Sequence, residues 1–180
     1  MKIKKFNFKK VNSTNNTAIK IIKSTKLDYG MITSESQTNG KGQYGRKWIS
    51  YKGNLFVSFF YNIENFNLSV KKLTKINCLL VKKLISKYYK KNIIFKKPND
   101  LLVKNKKISG ILQETIIIDN KKYFIVGIGI NIMKSPNIKN YPTTNLFEST
   151  GKKINLKLLV NQLRSIFEKN FSKYYKIRVS

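Results

Sequence analysis

The sequence predicts an α+β fold, and two observations support this class. Several short apolar segments are separated by polar turns, which is typical of strands joined by hairpins. Two longer segments, 69–90 and 155–171, instead carry apolar residues at helical spacing. At 180 residues the chain is long enough to bury a substantial core, so we expect one domain over 1–180.

The first third of the chain predicts three strands and one short helix. The strands cover 5–11, 29–33 and 54–61, and the last of them is strongly apolar. Between the first two, Asn12-Ser13-Thr14-Asn15 offers helix-capping side chains ahead of an apolar pattern. Ser13 and Thr14 could serve only to cap this helix, and that alternative stays open.

The middle of the chain predicts the clearest helix, 69–90, and then more strands. After a brief strand at 93–95, the segments 101–103 and 108–118 flank the polar turn Lys104-Asn105-Lys106-Lys107 and form a probable hairpin. A second polar turn leads into a strand over 123–132.

The end of the chain predicts one long loop and one helix. Residues 133–154 contain two prolines and polar clusters, so we expect an irregular loop, and loops of this length are often functional lids. Asn155 then caps the final helix, whose apolar residues from Leu156 to Phe171 lie on one side.

The formal charge of +29 favours contact with polyanions, but the kind of cation argues against specific recognition of nucleic acid. Almost all of the charge is lysine, whereas base and phosphate recognition depends strongly on arginine forks. The only arginines are Arg46, Arg164 and Arg178, and the lysines are scattered through every element. We therefore expect non-specific binding at low salt and no specific nucleic-acid partner.

The chain has no histidine, which excludes histidine triads, histidine metal sites and histidine acid–base relays. Only eight carboxylates are present, and none of them shows metal-ligand or glycosidase spacing. The chemistry must therefore depend on cations, backbone amides and positioning.

The sequence also indicates the cellular compartment in which the protein works. No stretch approaches the roughly 18–20 apolar residues of a membrane span, and the first six residues lack the apolar run of a signal peptide. The single cysteine, Cys78, cannot form an internal disulfide, and its position in a helical apolar pattern indicates a buried, inert thiol. We expect a cytoplasmic protein with no membrane contact.

The segment Gln37–Trp48 contains three glycines within six residues, followed by two cations and the lone tryptophan. Dense glycines allow backbone amides to converge on one point, which predicts a loop that grips an anion. The letters also fit G-x-G-x-x-G, but a strand-like segment and not a helix follows Gly45. A dinucleotide-binding site on a helix terminus is therefore disfavoured, and a flexible hairpin connection is the simpler alternative.

Five ordered segments together resemble the biotin–protein ligases. They are Ser13-Thr14-Asn15; Gln37 with Gly40-Lys41-Gly42-Gln43-Tyr44-Gly45-Arg46-Lys47-Trp48; Lys96-Lys97-Pro98-Asn99-Asp100-Leu101; Gly110-Ile111-Leu112-Gln113-Glu114 with Gly127-Ile128-Gly129-Ile130-Asn131; and Thr143-Thr144-Asn145-Leu146. One such segment would be weak evidence, whereas five in order over about residues 10–150 are strong.

The resemblance implies a mixed, largely antiparallel sheet flanked by helices, as in class II aminoacyl-tRNA synthetases. It also implies a two-step reaction. Biotin and ATP, with Mg²⁺, give biotinyl-5′-AMP, and biotin then passes to a lysine of a biotin carboxyl carrier protein domain of a carboxylase such as acetyl-CoA carboxylase. This chemistry suits the composition, because the nucleophile of the first step is already an anion and needs no histidine base.

The resemblance also implies roles for individual residues. It assigns contacts with biotin to Ser13, Thr14, Asn15, Gln37, Gly40, Lys41, Gly110, Ile111 and Gly129. It assigns contacts with ATP and the adenylate to Lys41, Gly42, Gln43, Gly45, Arg46, Trp48, Lys96, Asn99 and Asn131. The expected catalytic cations are Lys41, Arg46 and Lys96, and Lys96 is expected on the α-phosphate and the carboxylate. Asp100 and Glu114 could orient the residues that contact the ligand, could help to place Mg²⁺ through the triphosphate, or could make structural hydrogen bonds only.

Two departures and two absences qualify the resemblance. Gln43 stands where the family usually has an arginine, so we expect weaker retention of the adenylate, and Lys97 replaces a usual tryptophan. We expect no N-terminal DNA-binding module and no C-terminal β-barrel domain. A homodimer through sheet edges, which the family often forms, stays open.

Three alternative functions also stay open. A lipoate or octanoate ligase of the same fold is the nearest, although those relatives lack this combination of segments. A basic nucleic-acid-binding protein would show steep salt dependence without a thermal shift on adding biotin or ATP. A degenerate, inactive homologue is the third, because of Gln43 and Lys97.

Overall fold

A computed structural model describes residues 2–64 and 66–174, and its centre is a seven-stranded sheet. The strands are β1 (Lys5–Phe8), β2 (Tyr29–Ser34), β3 (Leu55–Asn62), β4 (Ile93–Lys96), β5 (Asp100–Val103), β6 (Lys106–Ile118) and β7 (Lys121–Ile130). The helices are α1 (Thr14–Thr25), α2 (Val70–Ile85), α3 (Leu146–Thr150) and α4 (Leu156–Tyr174).

The sheet is mixed and largely antiparallel, as the resemblance implied. Its spatial order is β1-β2-β3-β7-β6-β5-β4, and β1 pairs with β2 in parallel while every other neighbouring pair is antiparallel. The edge strands are therefore β1 and β4, and association through either edge stays a prediction.

The two faces of the sheet are covered differently. Helices α2 and α4 pack together on one face, where Phe59 of β3 stacks on Phe167 of α4 with ring centroids 3.9 Å apart. Helix α1 covers part of the opposite face, where Ala18 and Ile22 pack against Phe60. The rest of that second face stays uncovered by helices, and it carries the candidate site.

Most predicted elements are confirmed, with shifted ends. The first strand is shorter than expected and ends at Phe8, and the long helix ends at Ile85 instead of residue 90. The predicted loop 133–154 is wrong in one part, because it contains the short helix α3. Asn145 caps this helix by accepting from Glu148 N at 2.8 Å, a local signal that the two prolines obscured.

The cysteine prediction is confirmed. Cys78 is fully buried on α2, and burial raises the pKa of its thiol to about 12, against a weaker opposing effect of the hydrogen bond from Gln113. Among the described helices, none combines the length and the apolar character that crossing a bilayer requires.

Candidate functional site

An elongated cavity of about 530 Å³ lies on the uncovered part of the sheet, beside the N-terminus of α1. Its floor follows from strand register. Asp100 of β5 pairs with Gly110 of β6, which pairs with Gly129 of β7, so these three residues form one row on the same face. Leu112 and Gly127 form the next row. Glycines in both rows leave room above the sheet.

Trp48 fills the space above the first row. A Cβ placed on Gly129 would lie 2.3 Å from Trp48 Cε2, and one on Gly110 would lie 2.8 Å from Trp48 Cζ3. Such distances are impossible for real side chains, so these two glycines are required for the ring to lie where it does. The Trp48 indole N–H is buried and has no hydrogen-bond partner among the described residues.

The second row carries a buried polar chain. Asn15 at the start of α1 donates from Nδ2 to Glu114 Oε2 at 2.5 Å and accepts from Ser58 Oγ at 2.5 Å. A Cβ on Gly127 would lie 2.3 Å from Asn15 Oδ1, so this amide rests directly on the sheet. Glu114 therefore has a structural partner, which was one of the roles left open for it.

The polar end of the cavity is built around Gln37. Its Oε1 accepts from Thr14 N at 2.8 Å and from Thr14 Oγ1 at 3.0 Å, and its Nε2 donates to Ser50 Oγ at 3.1 Å. Gln37 thus satisfies the amide of the first helical residue of α1, which has no partner within the helix. Ser13 occupies the N-cap position but makes no side-chain capping bond, so capping does not explain this buried hydroxyl.

The glycine loop closes back on itself and adds the outer wall. Lys41 pairs with Lys47 in an antiparallel bridge, and Trp48 N donates to Gly40 O at 2.8 Å. Gly45 ends a short 3₁₀ turn, Gln43–Gly45, and the next element is strand β3 and not a helix, so the dinucleotide fingerprint is excluded as the sequence indicated. Because the amides of residues 42, 46 and 48 bond within the loop, its cationic side chains provide most of its capacity to hold an anion.

A β-bulge brings an unexpected cation into the cavity. Leu101 pairs with Ser109 but Leu102 pairs with Lys107, so Ile108 is an extra residue on β6. Strict alternation would put Lys107 and Gly110 on opposite faces, whereas the bulge turns Lys107 toward the site. Its Nζ lies 2.8 Å from Asp100 Oδ1. The expectation that Lys107 belongs to an exposed turn is wrong, because the turn comprises only Lys104 and Asn105, both at positive φ.

Tyr141 connects several of these groups. Its hydroxyl donates to Asp100 Oδ2 at 2.5 Å, and the ammonium of Lys96 lies 4.6 Å from its ring centroid. Lys107 lies 5.4 Å from the same centroid. Burial, and then the bond to Asp100, raise the pKa of Tyr141, while Arg46 opposes this shift. Tyr141 therefore stays protonated and holds two lysines beside one carboxylate.

The residues that line the cavity are strongly positive. The lining cations are Lys41, Arg46, Lys47, Lys96, Lys97, Lys107 and Lys139. Asp100 is the only carboxylate among the lining residues, and it already pairs with Lys107. The electrostatics of this space therefore favour an anionic ligand.

The far wall is a loop that runs from the end of β7 to α3. Asn54 fixes its start by accepting from the backbone amides of residues 132, 133 and 134, at 2.9, 3.0 and 3.3 Å. Asn131 donates to Thr144 O at 3.1 Å, but its Oδ1 is buried and has no partner among the described residues. Asn131 is among the residues that line the cavity, and its buried acceptor has unused capacity for a hydrogen bond.

The structure brings nearly all of the predicted site residues to this one cavity. The lining includes Ser13, Thr14, Asn15, Gln37, Lys41, Gly42, Gln43, Arg46, Trp48, Lys96, Asn99, Gly110, Ile111, Gly129 and Asn131. Gly40 and Gly45 instead line a second cavity of about 510 Å³ on the other side of the glycine loop, together with Glu114. These two shape the loop and do not line the first cavity.

Sequence reasoning missed two residues whose contacts define the cationic end. Lys107 was hidden by the bulge, and Tyr141 by its place in an irregular loop. Lys107 lies three residues before Gly110, a spacing that places two residues of a regular strand on opposite faces. Only the bulge brings Lys107 to the face of Gly110, and the sequence does not reveal the bulge. No pattern in the sequence identified Tyr141.

Comparisons with known proteins give one consistent result. The model of the biotin/lipoate A/B protein ligase family matches residues 8–131. The bifunctional ligase/repressor BirA of Bacillus subtilis is 27% identical over 172 residues, which cover 91% of this chain and 52% of that protein. BirA of Escherichia coli is 30% identical over 124 residues, which cover 68% and 38%. The chain therefore spans about half the length, or less, of the curated relatives it matches.

Solved structures match over nearly the whole chain. The biotin protein ligase of Aquifex aeolicus in complex with biotin and ATP has a TM-score of 0.79 and 30% identity, covering 94% of this chain and 71% of that one. The Leishmania major biotin protein ligase in complex with biotinyl-5-AMP has a TM-score of 0.82 and 23% identity, covering 96% and 76%. The second likeness shows the fold alone.

Proposed function

The chain belongs to the biotin/lipoate A/B protein ligase family, and on that premise we propose that it activates biotin with ATP and transfers it to a protein lysine. One observation carries the proposal. A single cavity joins a neutral hydrogen-bonding end around Gln37 to a cationic end around Lys96. Biotin and its adenylate have the same two-part character.

The neutral end suits the ureido ring of biotin. That ring has two N–H donors and one carbonyl acceptor, and it needs fixed polar partners in a space that is otherwise apolar. Thr14, Asn15 and Gln37 are held by mutual or neighbouring hydrogen bonds, so they are oriented before any ligand arrives. Ser13, whose hydroxyl caps nothing, supplies a further partner.

The cationic end suits the acid anhydride chemistry. It lies on β5 and β4, which are three and four strand spacings, or about 14 and 19 Å, from β3 beneath the neutral end. A carboxylate oxygen of biotin attacks the α-phosphorus of ATP, the bond to the β-phosphate oxygen breaks, and pyrophosphate leaves with the electron pair. Lys96, Lys41 and Arg46 stabilise the charge on the phosphate oxygens.

Lys107 joins these cations as a fourth group. Its pairing with Asp100 and its contact with Tyr141 fix the ammonium at the junction between the glycine floor and the cationic end. We place it beside the reacting carboxylate and the α-phosphate. We assign contacts with the adenylate to Trp48 and Asn131, which line the same cavity.

Mg²⁺ is proposed to arrive with ATP. Among residues 2–64 and 66–174, no three acidic, cysteine or histidine side chains cluster as metal ligands. Asp100, the carboxylate in the lining, is already paired with a lysine and a tyrosine. We therefore assign the metal ligands mainly to the triphosphate, whose charge the ion would partly neutralise.

The second step uses an acceptor lysine, which we propose belongs to a biotin carboxyl carrier protein domain in the cytoplasm. Its neutral amine attacks the carbonyl carbon of the mixed anhydride and loses a proton on forming the amide. The carbonyl–oxygen bond breaks, and AMP leaves with the electron pair. No base of unusual pKa is required, because AMP is a good leaving group.

The test is ATP-dependent transfer of biotin to a purified carrier domain, with Lys96→Ala as the critical variant. We expect the variant to lose at least about 10²-fold in transfer, because a preorganised cation is removed from the charge that develops. Lys157→Ala on the exposed surface of α4 is the matched control and should transfer as the wild type does. Equal activity of the two variants would remove Lys96 from the mechanism.

A lipoate or octanoate ligase remains the second candidate, because the matched family includes lipoate ligases as well as biotin ligases. The hydrogen-bonded group around Gln37 favours biotin, since the dithiolane of lipoate and the alkyl chain of octanoate have no ureido donors. Substituting lipoate for biotin in the same assay separates the two. The inactive-homologue alternative fails if either acid supports pyrophosphate release.

A further inference from the structure

The mouth of the cavity carries more positive charge than the proposed nucleotide chemistry uses. Lys41, Arg46, Lys96 and Lys107 have roles in that chemistry. Three more cations remain, Lys47, Lys97 and Lys139, and we call them the outer lysines. All three are exposed, and none forms an ion pair within the part of the chain that the structure describes.

The outer lysines surround the opening because they come from three separate segments. Lys47 closes the glycine loop through its bridge with Lys41. Lys97 follows the edge strand β4, and Lys139 lies on the loop between β7 and α3. Their shared position on one cavity, and not their sequence, makes them a group.

The charge at the mouth becomes least balanced after the first step. Pyrophosphate carries most of the negative charge away, and the adenylate that stays has a single ionised phosphate. An acceptor lysine, usually a cation, must then approach several unpaired cations. Like charges repel there, and the same field favours the neutral amine that the transfer step consumes.

We propose that the outer lysines dock an acceptor domain whose target lysine is flanked by aspartate and glutamate side chains. The carboxylates would pair with the outer lysines, offset the repulsion and steer the domain to the mouth. This inference rests on the proposed function and specifies the chemistry of its protein partner. Nucleic acid is the competing polyanion, but it has no lysine to accept the acyl group.

The experiment uses transfer from supplied biotinyl-5′-AMP, which bypasses the first step. The probes are a purified biotin carboxyl carrier domain and a variant in which the carboxylates around its target lysine are changed to amides. The critical ligase variant combines Lys47→Glu, Lys97→Glu and Lys139→Glu. Its matched control combines Lys71→Glu, Lys72→Glu and Lys75→Glu, which change the net charge equally on α2 at the opposite face.

We expect kcat/KM for transfer at low salt to fall at least about tenfold in the critical variant and less than about twofold in the control. The wild type should lose the same factor with the amide-substituted carrier domain or with rising salt. The critical variant places carboxylates opposite carboxylates, so it should instead gain from both changes.

Three results would overturn the proposal. They are wild-type transfer that ignores salt, equal losses in the two triple variants, and a critical variant that transfers normally but no longer binds duplex DNA. Biotin-dependent pyrophosphate release is measured separately on the wild type. Its absence would count against the proposed activity, whereas docking is decided by the transfer assay alone.

Discussion

Two groups of glycines serve the candidate site, and they do so for different physical reasons. In the floor, Gly127 and Gly129 have ordinary strand conformations, and a Cβ on either would lie 2.3 Å from an atom of Asn15 or Trp48. In the loop, Gly45 has no atom within 4 Å of such a Cβ, but its φ is +73°. The floor glycines provide space, and Gly45 provides a backbone conformation.

The comparison shows that glycine content alone does not locate a ligand. Three glycines fall close together in the loop sequence, yet Gly40 and Gly45 do not line the main cavity. The sparse glycines of β6 and β7 form its floor. Substitutions should therefore disturb the two regions in different ways and by different amounts.

The largest effect is expected from Gly129→Ala. The added methyl group must displace the Trp48 ring or the strand, which should cost about 1–3 kcal/mol in the free energy of unfolding. Adenylate formation should fall about 10²-fold, because the ring and the ligand space move together. Urea unfolding and pyrophosphate release measure the two effects, and fluorescence of the lone tryptophan reports displacement of the ring. Unchanged emission and activity would contradict the account of the floor.

A second, smaller effect should appear as coupling between Gly127 and Asn15. Gly127→Ala alone forces the Asn15 amide off the sheet, whereas Asn15→Ala removes the clash and the bonds to Glu114 and Ser58. In the double variant the alanine at 127 should therefore cost less, with a coupling of about 1 kcal/mol or more in urea unfolding. Gly127→Ala combined with Gly45→Ala serves as the control pair and should be additive. Additivity in both pairs would mean that Asn15 is not what occupies the space.

A third effect concerns the loop alone. Gly45→Ala places a side chain at positive φ, which should cost about 1–2 kcal/mol locally while leaving the core intact. We expect KM for ATP to rise by several-fold, and the urea midpoint of unfolding to fall in proportion to this cost. Gly45→Asn should recover much of the loss, because asparagine tolerates this conformation. If both variants behave alike, the backbone conformation of Gly45 is not the reason for its presence.

The smallest effect is expected from Gln43→Arg. Gln43 lies beside both cavities, and a cation there would add attraction for the phosphate of the adenylate. The variant should retain biotinyl-5′-AMP longer and biotinylate bystander lysines a few-fold less than the wild type does. Labelling of a bystander protein such as serum albumin measures this, and equal labelling would contradict the expectation.

From local signals such as alternation, helical spacing and capping, the sequence predicted the strands and three of the helices. From the resemblance to biotin–protein ligases it also predicted the site residues, nearly all of which line the cavity. It could not predict what depends on register. A single extra residue at Ile108 reverses the direction of Lys107, and nothing in residues 104–107 distinguishes a solvated turn lysine from one that reaches Asp100. Tyr141 lies on an irregular loop whose course is fixed at one end by Asn54 and near the other by the bond from Asn131 to Thr144 O.

At the start of α1 a local signal was present, but the structure uses a different residue. The residues at the start of α1 have the chemistry of N-caps, and a local reading assigns them to that task. In the structure Gln37, more than twenty residues away, accepts from the first amide of the helix. The hydroxyl of Ser13 makes no capping bond, and Ser13 lines the cavity, a tertiary arrangement that no local rule contains.

We propose that this cavity joins the carboxylate of biotin to the α-phosphate of ATP. The most direct measurement is pyrophosphate release and biotinyl-5′-AMP formation by the purified protein with biotin, ATP and Mg²⁺, in the absence of any acceptor. We predict a burst of pyrophosphate that requires biotin, yields the adenylate and does not occur with lipoate. No burst with biotin, or an equal burst with lipoate, would contradict the account.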